Sequence, residues 1–303
     1  MNLDIVGDPE LIPVPGRDGL WPAFNAPALI TGGGTSYLQK SGVTLIAQTR
    51  TNVENLEAFL GGFDEGLGFE DYLEDDPLDS DAEQLAKTAG QLCYFSFGPN
   101  RTKNDQAAKY FDNIKEQKHG SVLEHPNFSF LFYGVSRSFT HELVRHRAGF
   151  GFSQVSQRYV SGKTLRFVER PEFQKHDVLH ERFCARIESL AKEYDEVAGL
   201  LMESMAKQLA SMPKTEARKA VNQAARAVLP NETEAPIIVT ANVRAWRHFC
   251  EMRGSRHAEP EIRSVAAKTL RCLSLVAPTL FSDYEARQLE DKSIEIGTIY
   301  SKV

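Results

Sequence analysis

Asn127–Tyr133 places a phenylalanine at every second position, so Phe128, Phe130 and Phe132 fall on one face of a predicted strand. Val43–Ala47 reads as a second, buried strand, Leu165–Val168 as a third and Ile237–Thr240 as a short fourth. Helical spacing governs the rest. Asn52–Leu60 predicts a short helix, and Asp81–Tyr94 and Asn104–Gln117 predict longer ones. Ser136 stands where a cap is needed for a helix running to about His146, and Asn242 caps another that ends near Arg253. Glu181–Met212 reads as one long amphipathic helix with Phe183, Ile187, Leu190, Tyr194, Val197, Leu201, Met205 and Leu209 along a single stripe. Thr215 begins a helix ending near Leu229–Pro230, and Glu261–Leu275 closes the set. Strands and helices mix without a βαβ rhythm, which predicts a mixed α/β domain of the α+β type rather than a doubly wound one. Residues 1–41, with five prolines by position 27 and the glycines 32–34, read as an irregular N-terminal extension. Residues 42–303 read as one domain.

At 303 residues with 42% hydrophobic and 25% charged positions, the composition is that of a soluble globular protein. No stretch reaches the roughly 18 unbroken apolar residues of a membrane helix. The N-terminus lacks a basic region followed by an apolar one, so no secretory leader is expected. Four scattered cysteines without CxxC spacing make a reducing cytoplasm the default compartment, and no metal site is expected. The net charge of −6 is unevenly distributed. Residues 64–83 carry ten acids and no Lys or Arg, and read as a solvated acidic loop, whereas residues 145–170 hold six basic residues and one acid. A compact basic cluster within an acidic protein points to a small anion such as a phosphate, not to a nucleic acid.

Several motif fragments fail on spacing. His141 and His146 are five apart, whereas zinc chelation from one helix face uses four. Ser161-Gly162-Lys163-Thr164 lacks the glycine five residues before Gly162 that a phosphate loop needs, since Gln157 stands there. No cysteine is read as having a nearby histidine partner, so thiol catalysis is not expected.

Two arrays remain. Arg145-His146-Arg147 is followed by Ser156-Gln157-Arg158-Tyr159, a dense set of planar guanidinium donors suited to phosphate, carboxylate or an imide edge. Between them Gly149 and Gly151 allow close backbone approach, and Phe150 and Phe152 can line an apolar wall or enter the core. The second array is Asn242, Arg244, His248, Arg253 and His257, with Arg244 and His248 on one helix face and Trp246, Phe249 and Arg253 on another. Each array alone reads as a structural ion-pair cluster or as an anion site. Together they favour one polyanionic ligand held from both halves of the chain.

With these segments in hand, residues of about 42–284 resemble the flavin-dependent thymidylate synthases. The resemblance rests on GVTLIAQT, HGSVLEHPNFSFLFYGVSRSFTHELVRHR, FSQVSQRYV, ARAVLPNETEAPIIVTANVRAWRHFCEMRGSRHAEPEIR and APTLF. One departure stands out. Eight residues, Ala148–Val155, separate the arginine triplet from Ser156, where the family signature has seven. The resemblance implies a mixed, largely antiparallel sheet flanked by helices and a homotetramer with active sites at its interfaces. It implies reductive methylation of dUMP to dTMP, with methylenetetrahydrofolate as carbon donor and NADPH-reduced FAD as hydride donor. By motif position, His125, Arg145, His146, Arg147, Asn242, Arg244, His248 and His257 would hold the flavin, with His125 where folate stacks. Glu142, Arg145, Gln154, Ser156, Gln157, Arg158, Arg226 and Arg253 would hold the nucleotide. Arg253, Ser156 and His125 would be catalytic, Arg253 by reaching the uracil carbonyls. The altered spacing leaves open the same scaffold acting on another uridine nucleotide such as UMP. A non-catalytic nucleotide- or RNA-binding module is the remoter alternative, and it would be colourless with steeply salt-dependent binding.

Overall fold

A computed structural model of the chain describes residues 11–16, 19–160 and 164–303. The strands are β1 (Ile12–Gly16), β2 (Gly19–Phe24), β3 (Ala28–Ile30), β4 (Ser36–Leu38), β5 (Gly42–Gln48), β6 (Asn127–Tyr133), β7 (Phe150–Gln154), β8 (Arg166–Val168), β9 (Ile237–Asn242), β10 (Tyr284–Gln288) and β11 (Ile294–Thr298). The helices are α1 (Glu57–Leu60), α2 (Asp81–Cys93), α3 (Ala107–Glu116), α4 (Arg137–Leu143), α5 (Pro171–Gln174), α6 (Asp177–Ser204), α7 (Ala206–Leu209), α8 (Lys214–Ala225), α9 (Val243–Arg253) and α10 (Pro260–Val276).

The main sheet has the order β1-β2-β5-β6-β9-β7, and every neighbouring pair is antiparallel. A second sheet, β3-β4-β8, contains the parallel pair β4/β8, and β10 and β11 form a separate hairpin. The predicted mixed, largely antiparallel architecture is what forms.

The alternating phenylalanines explain the core. Phe128, Phe130 and Phe132 are at most 1% exposed and face Trp246 and Phe249 of α9. The Trp246 ring stands edge-on to Phe130 at 5.2 Å, and its indole N–H donates to the Phe128 carbonyl at 3.1 Å, so its one polar atom is satisfied. Loss of one such buried ring costs roughly 3–5 kcal/mol. Ser136 caps α4 by accepting from the Phe139 amide, and Asn242 caps α9 by accepting from the Ala245 amide. The opposite face of the sheet is open, with Thr240, Ile46 and Ile238 exposed. An antiparallel sheet allows this one-sided burial.

Three expectations are corrected. Residues 11–41 are not irregular. The hairpin β1–β2 extends the main sheet beside β5, and β3–β4 turns at the glycines 32–34, with Gly34 at φ +87°. Pro13 and Pro15 mislead here because β1 is an edge strand, which tolerates their missing N–H. The stripe from Glu181 to Met212 is not one helix, since α6 ends at Ser204 and α7 restarts at Ala206. Phe150–Gln154, to which the pattern assigned no element, is a strand, because β9 supplies its hydrogen-bonding partner. The acidic run is not wholly a loop: 3-10 turns occupy Glu65–Leu67 and Glu70–Glu74, and its end, Asp81–Glu83, opens the predicted helix as α2, where Glu83 is buried, accepting from the Thr279 amide at 2.8 Å. Among the described residues no helix is long and apolar enough to cross a membrane.

Candidate functional site

The first turns of α9 gather one group of the predicted residues. Register pairs Asn127 of β6 with Asn242 of β9, which brings the exposed His125, two residues before β6, to the start of α9. The Asn242 amide donates to the Gly149 carbonyl at 3.3 Å. Gly149 has φ +75°, and a Cβ there would lie 2.9 Å from that of Ala245, so only glycine lets the Arg145–Arg147 turn close onto the helix. Arg145, Arg147 and His248 are exposed around this contact. Arg244 points outward and donates to Glu124 at 2.5 Å. Among the described residues, Arg145 and Arg147 have no carboxylate within ion-pair distance. His257 is the exception. It lies beyond the far end of α9, separated from Asn242 by about 16 Å of helix.

At the other end of that helix, Arg253 is held on three sides. Its Nε donates to His146 Nε2 at 2.9 Å, one terminal nitrogen donates to Glu142 Oε2 at 3.1 Å, and the other to the Glu142 carbonyl at 3.2 Å. A guanidinium only donates, so His146 Nε2 carries a lone pair and the imidazole is neutral. Burial, with the nearby Arg253 and His248, pushes the His146 pKa down to about 4, in agreement with that assignment. Three of the five guanidinium N–H groups are committed and two remain for a ligand.

The second group lies elsewhere. Strand β7 carries the chain about 13 Å from Phe150 to Gln154. Exposed Gln154 and Ser156 follow, and a turn is closed by the Tyr159 and Val160 amides donating to the Ser156 carbonyl. Arg137 Nη1 donates to Gln157 Oε1 at 2.5 Å, which fixes the amide so that its NH₂ faces away. Among the described residues, Gln157 Nε2 and Arg158 Nε are buried without a partner. Buried donors of this kind cost about 1–3 kcal/mol each unless a ligand satisfies them. Asn222 of α8 donates to the Val160 carbonyl at 3.3 Å, so Arg226, one turn further on, belongs to this end. A cavity of about 470 Å³ opens here, lined by Val155, Gln157, Val160, Arg166, Leu229 and Glu234 among others. Within one chain β7 joins the two groups, and α4 touches both, Arg137 at Gln157 and Glu142 at Arg253.

Sequence reasoning missed Arg137 and Glu124. Arg137 had a signal: it stands in the first turn of α4, where a positive charge opposes the helix dipole unless a partner holds it. Glu124 had none, because only the fold brings it to Arg244. The reading that no cysteine has a histidine partner is also corrected. Cys184 Sγ lies 3.6 Å from His180 Nε2, whose Nδ1 is 2.7 Å from the buried Glu169 carboxylate. Their four-residue spacing on α6 was the available signal. Burial, together with the Glu169 and Glu188 carboxylates, pushes the Cys184 thiol up, which opposes a thiolate nucleophile.

Fold and site together define a class. Residues 77–279 match the family model described as thymidylate synthase complementing protein, and the chain belongs to that family. Its curated relatives are the flavin-dependent thymidylate synthases. The chain is 42% identical over 226 residues to the one from Corynebacterium diphtheriae, covering 74% of this chain and 88% of the relative. It is 43% identical over 227 residues to the one from Mycobacterium avium, covering 74% and 89%. A UMP/dUMP methylase, PolB from Streptomyces cacaoi, solved with 5-Br dUMP, shares the fold with a TM-score of 0.54 at 17% identity, over 80% of this chain and 94% of that one.

Proposed function

We propose that the chain transfers a one-carbon unit from methylenetetrahydrofolate to C5 of dUMP, with NADPH as the source of reducing equivalents and FAD as the bound flavin. The observation that carries this reading is the Arg253 guanidinium, held by Glu142 and a neutral His146 with two N–H groups to spare. Placed at a uracil carbonyl, it would stabilise the negative charge that the ring takes on as C5 becomes nucleophilic. A preorganised donor of this kind contributes about 3–4 kcal/mol. Because His146 is neutral, it adds no competing positive charge and leaves Arg253 as the cation that faces the ring.

The residues fit a flavin dinucleotide. Arg145, Arg147, Arg244 and His248 surround the start of α9, where a helix dipole also favours an anion. Glu124 is the carboxylate at this point, and Arg244 already pairs with it. His125 stands exposed at the rim, open to a stacking pterin. Bound there, FAD would supply the hydride that completes the methyl group. The chain's part is to hold the nucleotide and folate in register with it and to exclude water.

Ser156, Gln157, Arg158 and Arg226 are assigned to the nucleotide, with the arginines at its phosphate. The orphaned Gln157 and Arg158 donors support this, since a phosphate offers acceptors to both. We take the site to be completed between copies of the chain, as the family resemblance implies. The open sheet face with Ile46 and Ile238 offers an apolar surface for that assembly, in line with a homotetramer.

The test is tritium release from 5-tritiated dUMP with NADPH, FAD and methylenetetrahydrofolate, run beside 5-tritiated UMP. Release from dUMP by a yellow, flavin-loaded protein is expected. Faster release from UMP transfers the reading to ribonucleotide methylation. A protein that shows no flavin band after FAD is added and the excess removed overturns it.

A further inference from the structure

Residues 53–76, which precede the matched family segment, carry a second surface together with Phe95 from within it. Phe59, Phe63 and Phe95 are 38%, 36% and 48% exposed and touch one another edge-to-face, at centroid distances of 5.3, 6.3 and 5.4 Å. They rest on the buried Tyr72 and Phe97 beneath. Exposed rings in contact mark an interaction surface more often than isolated ones do. Phe95 also sits at φ +50°, a left-handed conformation that is costly for an aromatic residue, and such strain persists where function requires it.

The surroundings are acidic. Glu57, Asp64, Glu65, Glu70, Glu74 and Asp76 are all exposed. Among the described residues none of the six is in an ion pair, whereas the buried Asp75 is satisfied by Arg101. The Glu70 carboxylate lies directly over Gly61, between Phe59 and Phe63 in the chain, so charge and rings share one surface.

We propose that this surface docks a basic segment of another protein, with Lys or Arg side chains meeting the carboxylates and an aromatic or aliphatic anchor seated among Phe59, Phe63 and Phe95. Charge complementarity selects the partner: an anionic lipid surface or a nucleic acid is repelled. The chain's own basic cluster at Arg145–Arg158 is taken up by nucleotide and flavin, a point that rests on the function proposed above. Aromatic anchors supply most of the energy at such interfaces, and the acidic rim sets encounter rate and salt dependence.

The experiment uses the full-length, flavin-loaded protein and fluorescein-labelled peptides of repeated Lys-Lys-Phe, Lys-Lys-Ser and Glu-Glu-Phe triplets, read by fluorescence anisotropy. Lys-Lys-Phe is expected to bind, more weakly as salt rises, and the other two to bind at least about tenfold less tightly. Phe63→Ser, or Phe59→Ser if the first does not fold, is expected to lower that affinity about tenfold while flavin content and tritium release stay at wild-type values. Glu70→Lys is expected to lower it as well. Equal binding of Lys-Lys-Phe and Lys-Lys-Ser, or unchanged affinity in a folded Phe variant, overturns the proposal. So does a change of oligomeric state in Phe63→Ser by sedimentation, which would make the surface a contact between copies. Loss of tritium release with peptide binding intact would overturn the function reading and leave this one standing.

Discussion

Glu142→Ala isolates the grip on Arg253. The substitution removes the acceptor for one terminal N–H, at 3.1 Å, and leaves the backbone contact at 3.2 Å and the His146 contact at 2.9 Å in place. A charge-assisted hydrogen bond contributes about 1.5–3 kcal/mol when buried, and an exposed ion pair at most about 1. The two side chains here are 23% and 34% exposed, so the pair belongs between these limits. A loss of about 1–2 kcal/mol lowers kcat/KM roughly 5- to 30-fold. Positioning acts on the reacting geometry, so most of the loss is expected in kcat, and Glu142→Gln, which keeps an acceptor oxygen, is expected to recover most of it. Steady-state tritium release at saturating folate and NADPH measures both constants, with flavin absorbance as the check on the cofactor site. If Ala and Gln raise KM alike and leave kcat untouched, Glu142 acts by touching the nucleotide and the positioning argument fails.

Arg226→Ala should weaken dUMP binding about 10- to 100-fold while retaining FAD, by isothermal titration and absorbance; unchanged nucleotide affinity would remove Arg226 from the site. Deleting residues 1–40 strips β1–β4 and the buried Phe24, Tyr37 and Leu38, so the truncated chain should lose its cooperative thermal transition, and a midpoint within a few degrees of wild type would contradict this. Changing all four cysteines to Ala should leave tritium release within about tenfold, since Cys250 and Cys272 are buried with their thiols pushed up by burial; a folded, flavin-loaded variant that releases none would point to a thiol nucleophile. Burial raises the Asp283 carboxyl, but the Arg247 hydrogen bonds and charge, with Thr298 and Lys115, outweigh it and hold the pKa at about 2. Its folded value is below its ordinary 3.8, so about 2 kcal/mol of stability is present above that pH and is lost as pH falls towards 2. Asp283→Asn should abolish this slope in acid denaturation curves, and an unchanged slope would refute the assignment.

Local chemistry was legible from the chain alone wherever a rule acts within a few residues. The alternation of Phe128, Phe130 and Phe132, the caps Ser136 and Asn242, and the helix bearing Trp246 and Phe249 all follow from spacing and hydrogen-bond capacity, and all form as read. The arginine arrays were visible for the same reason, since their residue types are unusual at that density. The His180–Cys184 pair is equally legible, because four residues on a helix place both side chains on one face. Other features depend on partners far away in the chain. Phe150–Gln154 is a strand because β9, more than eighty residues on, offers its edge, and residues 12–24 are strands because β5 receives them. No local propensity decides such pairing, because a strand's hydrogen bonds are made to another segment. The same holds in the site. That Arg253 meets His146 and Glu142, that Arg244 meets Glu124, and that Arg137 meets Gln157 are consequences of register and packing, and only the tertiary structure decided them.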